Sequence, residues 1–470
     1  MIDIALIREK PDWVKAQIAK LYDPVAMERI DTILELDKQR RALIGDGEAT
    51  QAARNKLNKA FGALRGNKQI SDEGKVAIAL AAKAAIEAND YEGAANFLSG
   101  SAPTPAAAAT PTAFDELLKA MGGIGARVEA INEELRGVET KLEETLLWIP
   151  NLPHDSVPVF ENDSFNIPTQ PEGAMPEFDF TPKPHWELAA ALDIIDFDRG
   201  VKLAGSRGYV LKGLGARLQR ALIDLFLDNA REHGFTELYV PNFVKEEAMI
   251  GAGQFPKFRD AVYYDEDADV FMLPTAEVAI TGMHRDEILE EAQLPLYYAA
   301  HTPCLRRERL SAGRDVRGIK RVHQFEKVEL YKFTSPETSY AELESLIEAA
   351  SDIPRKLKLP FRRLEIVSGD LGFSAAKKYD LEIFAAGSGE WLEVSSCSNT
   401  EDFQARRSNI KYRPEEGKRT RYVHTLNGSG LATPRVMIAI MENYQQADGS
   451  VVVPEALRPY MGGLEVIRKA

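Results

Sequence analysis

The sequence predicts an α+β protein. Its first part, residues 1–148, is expected to be a helical arm, and residues 149–470 a mixed domain of strands and helices. Apolar residues recur at heptad spacing in two separate stretches of the first part, which is typical of helices packed as a coiled coil. The second part alternates short strands, turns and amphipathic helices without a regular βαβ rhythm or a phosphate-loop motif, so a doubly wound sheet is not indicated.

Two heptad seams define the arm. The first occupies positions 36, 40, 43, 47, 50, 54, 57, 61 and 64, with leucine at four of them and polar residues or glycine at 40, 47, 50 and 54. The second is more regular and consists of Ile124, Val128, Ile131, Leu135, Val138, Leu142 and Leu146. Two seams of similar length in one chain predict an antiparallel helical hairpin.

Residues 71–113 lie between the seams and are interpreted as an insertion. Residues 71–98 are rich in alanine and predict one helix, whereas residues 99–113 are rich in Pro, Ala and Thr and predict a flexible linker. The simplest interpretation is a tolerated surface insertion, since lengthening a surface loop has a small entropic cost.

In the second part, the patterns predict two helices and five strands. The helices cover 214–233 and 433–444, and the strands cover 236–241, 303–309, 324–333, 390–395 and 422–426. Pro434 stands near the start of the second helix, where proline is well tolerated.

Composition narrows the classes of function. No run of about 18 apolar residues exists, so no membrane span is expected. The N-terminal residues lack the layout of a signal or transit peptide, and the two cysteines, Cys304 and Cys397, have no metal-like spacing and are expected to be buried thiols. These features favour the cytoplasm.

Charge is distributed unevenly along the chain. The net charge of −14 argues against nucleic-acid binding when taken alone. However, residues 37–68 contain eight Lys or Arg and three Asp or Glu. Such a stretch is either a solvated helix face or a surface that contacts phosphates.

Two basic segments suggest phosphate binding. Seven Arg or Lys lie between positions 306 and 321, in a Gly- and Arg-rich loop between two predicted strands. Arg guanidinium groups hold phosphate or carboxylate through two hydrogen bonds. Residues 428–430, Gly-Ser-Gly, are expected to form a turn before the helix that carries Arg435, where a helix N-terminus also favours anions.

Two further segments are weak signals by themselves. Residues 392–399 carry Glu393 among several hydroxyl side chains, which together with phosphate oxygens could hold a hard cation. Residues 273–277 contain Thr275 and Glu277 and indicate no particular chemistry on their own.

Taken together and in order, these segments resemble the signature motifs of class II aminoacyl-tRNA synthetases in the form carried by seryl-tRNA synthetases. The second motif is matched by Arg306, Glu308, 313–315, 317–318, 323–325 and 327–329. The third is matched by 427–432 with Arg435, and the first by 234–241 followed by 253–257. Residues 275–277, 395–399 and 402–407 are characteristic of the seryl branch.

The resemblance covers nearly the whole chain. It implies an antiparallel β-sheet catalytic domain flanked by helices, a homodimer with the first motif at its interface, and an N-terminal hairpin that grips tRNA. The implied partners are L-serine, ATP with Mg²⁺, and tRNA(Ser), with tRNA(Sec) left open as a second tRNA. The arm residues that would contact tRNA are Arg40, Arg41, Arg54 and Lys56.

The resemblance also assigns site residues. It implies catalytic roles for Arg306, Glu329 and Arg435, and magnesium binding by Glu393 and Ser396. Serine would be bound by Thr275, Glu277, Arg306, Glu329, Asn427 and Ser429. ATP would be bound by Arg306, Glu308, Val322, Phe325, Glu393, Val394, Ser395, Ser396 and Arg435.

The chain departs from the family pattern at Arg307, Arg309 and Leu310 and at Thr433-Pro434. Three alternatives stay open: a relative that loads a carrier other than tRNA, a non-enzymatic RNA-binding homologue, and a coiled-coil scaffold. The arm argues against the first and the presence of Arg306, Glu329 and Arg435 against the second. The third leaves the residues after 148 unexplained.

Overall fold

The computed structural model describes residues 1–102, 112–309, 317–415, 417 and 419–469. The chain forms two compact units, one of Met1–Glu28 with Leu147–Ala470 and one of Arg29–Leu146. The first 28 residues therefore belong to the unit that contains the large sheet, whereas the sequence prediction placed all of 1–148 in the arm. Within the described residues, no helix is both long and apolar enough to cross a membrane.

The arm unit is an antiparallel helical hairpin with two added helices. The first six helices of the chain are α1 (Ile4–Glu9), α2 (Pro11–Ala19), α3 (Pro24–Gly66), α4 (Asp72–Glu87), α5 (Tyr91–Ser99) and α6 (Ala113–Leu147). Of these, α3 and α6 form the hairpin, and α4 and α5 are the added helices. A Cβ atom at Gly47 would lie 3.4 Å from the Ile131 side chain, and one at Gly125 would lie 3.5 Å from that of Arg54. The later residue of α3, Arg54, thus faces the earlier residue of α6, Gly125. The two helices therefore run in opposite directions, and the predicted antiparallel hairpin is confirmed.

The predicted seams form the contact between α3 and α6. Leu57, Phe61 and Leu64 of the first seam share a core with Ile124, the first residue of the second seam, and with Leu117 and Met121, which precede that seam on α6. Polar positions interrupt the first seam, but Thr50 is buried within it all the same.

The segment after α3 differs from the prediction of one long helix. Asn89 has φ of 61°, and the side chain of Asp90 accepts a hydrogen bond of 2.8 Å from the backbone N–H of Gly93. Asparagine tolerates the left-handed conformation and aspartate caps helix starts, so α4 ends and α5 begins here. Both helices bury alanines in the same core as Leu57. Of the predicted linker 99–113, residues 103–111 lie outside the described residues.

The other unit contains the remaining elements. Its helices are α7 (His185–Ala191), α8 (Phe197–Ala204), α9 (Leu214–Glu232), α10 (Glu246–Gly251), α11 (Ala276–Met283), α12 (Ser339–Lys356), α13 (Phe403–Ser408) and α14 (Thr433–Asn443). Its strands are β1 (Ile167–Pro168), β2 (Ile195–Asp196), β3 (Val210–Leu211), β4 (Thr236–Leu238), β5 (Phe243–Val244), β6 (Tyr264–Asp265), β7 (Val270–Met272), β8 (Ile288–Glu290), β9 (Leu296–Leu305), β10 (Gln324–Thr334), β11 (Phe361–Glu365), β12 (Lys377–Ala385), β13 (Glu390–Asn399), β14 (Lys411–Arg413), β15 (Arg421–Tyr422), β16 (His424–Ala432), β17 (Val451–Val452) and β18 (Val466–Ile467).

Eight of these strands form one sheet in the order β1-β11-β12-β13-β16-β10-β9-β4. All neighbours are antiparallel except β4 and β9. Successive strand residues face opposite sides of a sheet. Leu330 packs in a core with residues of α9, α12 and α14, and Tyr331 packs in another with residues of α10, α11 and α13. The sheet therefore lies between two helical layers, and the predicted α+β class is confirmed.

One local prediction in this unit was wrong. Residues 428–430 are not a turn before α14 but lie inside β16, which continues to Ala432. A Cβ atom at Gly428 would lie 2.8 Å from Sγ of Cys397 and 3.2 Å from the Leu346 side chain. Glycine is therefore required by the close approach of Cys397 on β13 and Leu346 on α12 to the strand, and glycine content alone does not distinguish such a position from a turn.

Candidate active site

A cavity of about 530 Å³ opens where β10, β13 and β16 carry polar side chains, next to Arg306, which directly follows β9. It brings together every residue that the sequence predicted for serine and ATP. These are Thr275, Glu277, Arg306, Glu308, Val322, Phe325, Glu329, Glu393, Val394, Ser395, Ser396, Asn427, Ser429 and Arg435.

The strands explain why residues so far apart in the chain meet. Phe325, Lys327 and Glu329 alternate along β10 and therefore share one face of the sheet. Glu329 lies opposite Ser429 of β16 in the antiparallel register. Ser395 of β13 donates a hydrogen bond of 2.5 Å to the backbone oxygen of Ser429, so the three strands fix one another at the cavity floor.

One end of the cavity is a buried acidic cluster. The hydroxyl of Thr275 donates to Oε2 of Glu329 at 2.9 Å and receives a hydrogen bond of 2.8 Å from Nζ of Lys327. Lys327 also forms a salt bridge with Glu329. Glu277 lies in the same cluster, and all four residues are buried. Two carboxylates and one ammonium leave this end with a negative charge when both acids are ionised.

Glu277 and Asn427 meet at this end. Nδ2 of Asn427 donates to Oε2 of Glu277 at 3.2 Å, while Oδ1 of Asn427 is buried without a hydrogen-bond partner. A buried acceptor without a donor costs free energy, so this atom is suited to receive a ligand N–H or O–H. Burial, and next the charge of Glu329, raise the pKa of Glu277 to about 7.

Arg306 lies beside this acidic end. Its Nε donates to the backbone oxygen of Pro274 at 3.2 Å, and its guanidinium lies 5.1 Å from the centre of the Phe325 ring. This cation–π distance fixes the guanidinium against the aromatic face. The same ring is available to stack on a planar ligand.

Arg435 and Glu393 form a second charged group. Nη1 of Arg435 donates to the backbone oxygen of Glu393 at 2.5 Å and lies 3.6 Å from its Oε2. Partial desolvation in the cavity works against ionisation of Glu393, but the charge of Arg435, followed by those of Lys378, Arg306 and Arg321, holds its pKa below the ordinary value. The carboxylate is therefore charged near neutral pH.

The basic loop is described only in part. Arg321 pairs with Glu308 at 3.3 Å, and Glu308 has φ of 50°. Leu310 and the predicted residues 313–315 lie outside the described residues. Of the departures from the family pattern, Arg307 lies 5.3 Å from the Tyr263 ring, and the hydroxyl of Thr433 donates to the backbone oxygen of Glu326 at 2.9 Å.

Sequence reasoning assigned no role to three residues that contact this site. Lys327 lies between two predicted site residues of β10, and its alternation with Phe325 and Glu329 was a usable signal. Gln404 donates a hydrogen bond of 2.7 Å to Oε1 of Glu277 from α13. His185 contacts the backbone of Ile319 from α7. A neutral amide or imidazole distant in sequence carries no pattern that would reveal such a contact.

The four predicted tRNA-contacting residues lie on α3 in the arm unit. Arg40 and Arg41 each pair with the buried Asp37, at 3.1 and 3.0 Å. Arg54 and Lys56 are exposed, and Lys56 lies 4.0 Å from Glu92.

Two separate parts of the chain match family models. Residues 1–98 match the seryl-tRNA synthetase N-terminal domain, and residues 259–444 match the class II core domain shared by synthetases for G, H, P, S and T. The basic loop, the residues of the acidic end and Arg435 all fall within the second match.

Relatives of the whole chain agree with these matches. A serine--tRNA ligase from Roseiflexus sp. (strain RS-1) is 53% identical over 470 residues, covering 100% of both chains, and one from Thermomicrobium roseum is 50% identical, covering 99% of this chain and 95% of the relative. The seryl-tRNA synthetase of Pyrococcus horikoshii, solved as a complex with ATP, superimposes with a TM-score of 0.85 at 34% identity, covering 100% of each chain. The chain therefore belongs to the seryl-tRNA synthetase family of class II aminoacyl-tRNA synthetases.

Proposed function

We propose that this chain activates L-serine with ATP to form seryl-adenylate and transfers the seryl group to the 3′ end of tRNA(Ser). The observation that carries the proposal is the cavity itself, which places a buried acidic cluster beside Arg306 and Arg435. An amino acid presents an ammonium group and a carboxylate, and ATP presents phosphates, so this charge pattern matches both substrates. The relatives named serine--tRNA ligase support the choice of serine.

The first reaction forms a bond between a serine carboxylate oxygen and the α-phosphorus and breaks the bond to the departing pyrophosphate. No strong general base is needed, because the attacking carboxylate is already ionised. Catalysis then depends on orienting two anions and stabilising the developing charge. Arg306 bridges the serine carboxylate and the α-phosphate, and Arg435 holds the γ-phosphate. Phe325 stacks on adenine, and Glu308 accepts a hydrogen bond from its amino group.

The second reaction transfers the acyl group. A ribose hydroxyl at the 3′ end of the tRNA attacks the carbonyl carbon of seryl-adenylate and releases its proton to the departing phosphate or to solvent, the carbon–oxygen bond to the phosphate breaks, and AMP leaves. Arg306 stays beside the phosphate and stabilises the charge that AMP takes away.

The acidic end suits serine's polar groups. Glu277 and Glu329 bind the ammonium, and the unpartnered Oδ1 of Asn427 receives a hydrogen bond from serine. Thr275 and Ser429 complete the polar wall. A pocket that bonds a substrate hydroxyl rejects an analogue lacking it by up to about 10⁴–10⁵, so alanine should be a very poor substrate.

Glu393 and Ser396 fit a magnesium ion that arrives with ATP. Within the described residues, no group of three or more His, Cys, Asp or Glu could hold a metal. Glu393 and Ser396 supply two oxygen donors in the cavity, and Mg²⁺ normally takes few protein ligands beside phosphates. When bound, the ion would neutralise phosphate charge.

The arm is proposed to grip tRNA through its exposed basic side chains. Arg54 and Lys56 are the stronger candidates, since Asp37 offsets the charge of Arg40 and Arg41. Transcripts of tRNA(Ser) and tRNA(Sec), compared in one charging assay, decide whether both are substrates.

The catalytic unit is proposed to form a homodimer through its first-motif surface. β4 is an edge strand of the large sheet, and the neighbouring Tyr239 is 96 % exposed and Phe243 is 55 % exposed. Exposed apolar side chains beside an unpaired strand edge are typical of an interface. A cytoplasmic location is inferred from Cys304 and Cys397, which are buried free thiols as in proteins of reducing compartments.

The test of the proposal is serine-dependent exchange of pyrophosphate into ATP, with alanine, threonine and no amino acid as controls, followed by charging of tRNA(Ser). Exchange with serine and subsequent charging support both reactions. Exchange without charging of tRNA favours a relative that loads another carrier. Absence of exchange with folded, magnesium-supplied protein contradicts the proposed function.

A further inference from the structure

The segment 402–407 is part of the family resemblance, yet its residues do not line the cavity. Gln404 of this segment is fully buried in α13 and reaches the acidic end from behind. Its Nε2 donates to Oε1 of Glu277 at 2.7 Å and to the backbone oxygen of Ala252 at 3.0 Å. It therefore connects the acidic end to the chain at Ala252, two residues before the cavity residue Gln254.

The carbonyl oxygen of the Gln404 side-chain amide is also fully hydrogen-bonded. Oε1 of Gln404 accepts hydrogen bonds from the hydroxyls of Tyr331 at 2.8 Å and Thr425 at 2.7 Å, with Thr400 at 3.3 Å. A reversed amide would set its oxygen against the oxygens of Ala252 and Glu277, and the Ala252 oxygen can only accept. The surrounding hydroxyls therefore fix the amide with its N–H groups toward Glu277.

Both oxygens of Glu277 are consequently held by side-chain amides, Oε1 by Gln404 and Oε2 by Asn427. A hydrogen bond donated to a carboxylate favours its charged form. Here the opposing influences are large, since burial and Glu329 raise the pKa of Glu277 to about 7 while Lys327, Gln404 and Arg306 act in the opposite direction. A carboxyl group so close to its titration point at neutral pH is sensitive to the loss of one donor.

We propose that Gln404 is a positioning residue that fixes the orientation of Glu277 and keeps it ionised for the serine ammonium. The proposal rests on the proposed function, in which Glu277 binds that ammonium. It assigns Gln404 an effect on serine affinity and on its pH dependence, without contact to serine or ATP.

The test uses the full-length protein and two substitutions, Gln404→Met and Gln404→Glu. The first removes the amide with little change in length, and the second is nearly isosteric and replaces the N–H donor with another acid. The serine KM and ATP KM of pyrophosphate exchange are measured between pH 6 and 8.5. The matched control is Gln445→Met, the same change at an amide that is 2 % exposed and hydrogen-bonds the backbone of Lys183 instead.

Both Gln404 variants should raise the serine KM at pH 7 by about tenfold, the effect expected for losing about 1.4 kcal/mol of interaction. The pH below which the serine KM rises should move upward, because Glu277 loses a donor that favours its charge. The ATP KM, and kcat at saturating serine, should stay within about twofold of the parent, as should all constants of Gln445→Met.

An unchanged pH dependence, with kcat and both KM values altered together, would overturn the proposal in favour of a merely structural role. If Gln404→Met fails to fold, Gln404→Glu alone gives the same decision, since it preserves the packing volume. Failure of the proposed function is distinguishable, because the parent protein itself would then show no serine-dependent exchange.

Discussion

Nδ1 of His185 lies 3.0 Å from Oε1 of Glu442, and both side chains are buried. On the other side of the ring, Nε2 accepts a hydrogen bond of 3.2 Å from the backbone N–H of Ile319. Nε2 can accept only without a proton, so both contacts require the neutral ring with its hydrogen on Nδ1. Together, α7 and α14 thus hold the backbone at Ile319, the first residue of the segment 319–322 that lines the cavity.

Replacing His185 with Ala should raise the ATP KM of pyrophosphate exchange about tenfold and leave the serine KM within about twofold, since a buried N–H left without an acceptor costs about 1–3 kcal/mol. The reason is that Ile319 precedes Lys320 and Arg321 in the cavity wall. His185→Gln, which keeps an acceptor near the position of Nε2, should restore most of the ATP affinity. An equal rise of both KM values in His185→Ala would contradict a local role.

The serine KM of the parent protein should depend on pH near neutrality. The raised pKa of Glu277, about 7, means that the group is protonated and neutral below pH 7 and binds the serine ammonium less well there. The KM at pH 6 should exceed that at pH 8 by about tenfold, as the ionised fraction falls. Glu277→Gln should show a high serine KM that no longer changes over this range. A serine KM that is flat in the parent would show that Glu277 is ionised throughout.

Arg435→Ala should lower kcat/KM for ATP by about 10²–10³, the effect of removing one preorganised charge from a transition state. Arg435→Lys keeps the charge but lacks the planar pair of donors, so its kcat/KM for ATP should lie between those of the parent and Arg435→Ala. Arg421→Ala is the matched control, since Arg421 pairs with Glu337 and does not line the cavity. Equal losses in the Arg421 and Arg435 variants would indicate general destabilisation.

Gly428→Ala should lower the free energy of unfolding by about 1–3 kcal/mol, because its new methyl group would overlap the side chains of Cys397 and Leu346. Gly62→Ala is the contrasting change, since Gly62 lies within α3 with open space around a new Cβ. It should stabilise the arm by about 0.5–1 kcal/mol through the better helix propensity of alanine. Urea unfolding, followed separately for each unit, measures both effects. A neutral Gly428→Ala would mean that Cys397 and Leu346 move away from β16 without cost.

Reversing the charges of Arg54 and Lys56 together to Glu should raise the KM for tRNA(Ser) by about tenfold or more, because phosphate contacts contribute affinity through counterion release. Serine-dependent exchange should be unchanged, since both residues are in the arm unit. Charging at several salt concentrations provides the check. A variant with normal charging would place the tRNA contact elsewhere on the chain.

The elements that the sequence predicted well are those whose pattern repeats locally. The heptad seams identified α3 and α6, and alternation identified β10 within one residue at its end. The long insertion helix was predicted without its break at Asn89, because a left-handed residue followed by an aspartate cap is a short signal within an alanine-rich segment. The glycines of β16 were taken for a turn, because the close approaches that require them come from other elements. These are Cys397 of β13 and Leu346 of α12 at Gly428, and Val328 and Leu330 of β10 at Gly430.

The amino-acid sequence by itself determined the family, the α+β class and fourteen of the residues that line the cavity, since each of these belongs to a motif with a recognisable order. Only the tertiary structure decided which buried neutral groups hold those residues in place. Gln404 behind Glu277 and His185 behind Ile319 each reach the site through one hydrogen bond between elements far apart in the chain. Such bonds depend on the packing of helices against the sheet, and a sequence pattern records the residue but not the neighbour it will meet.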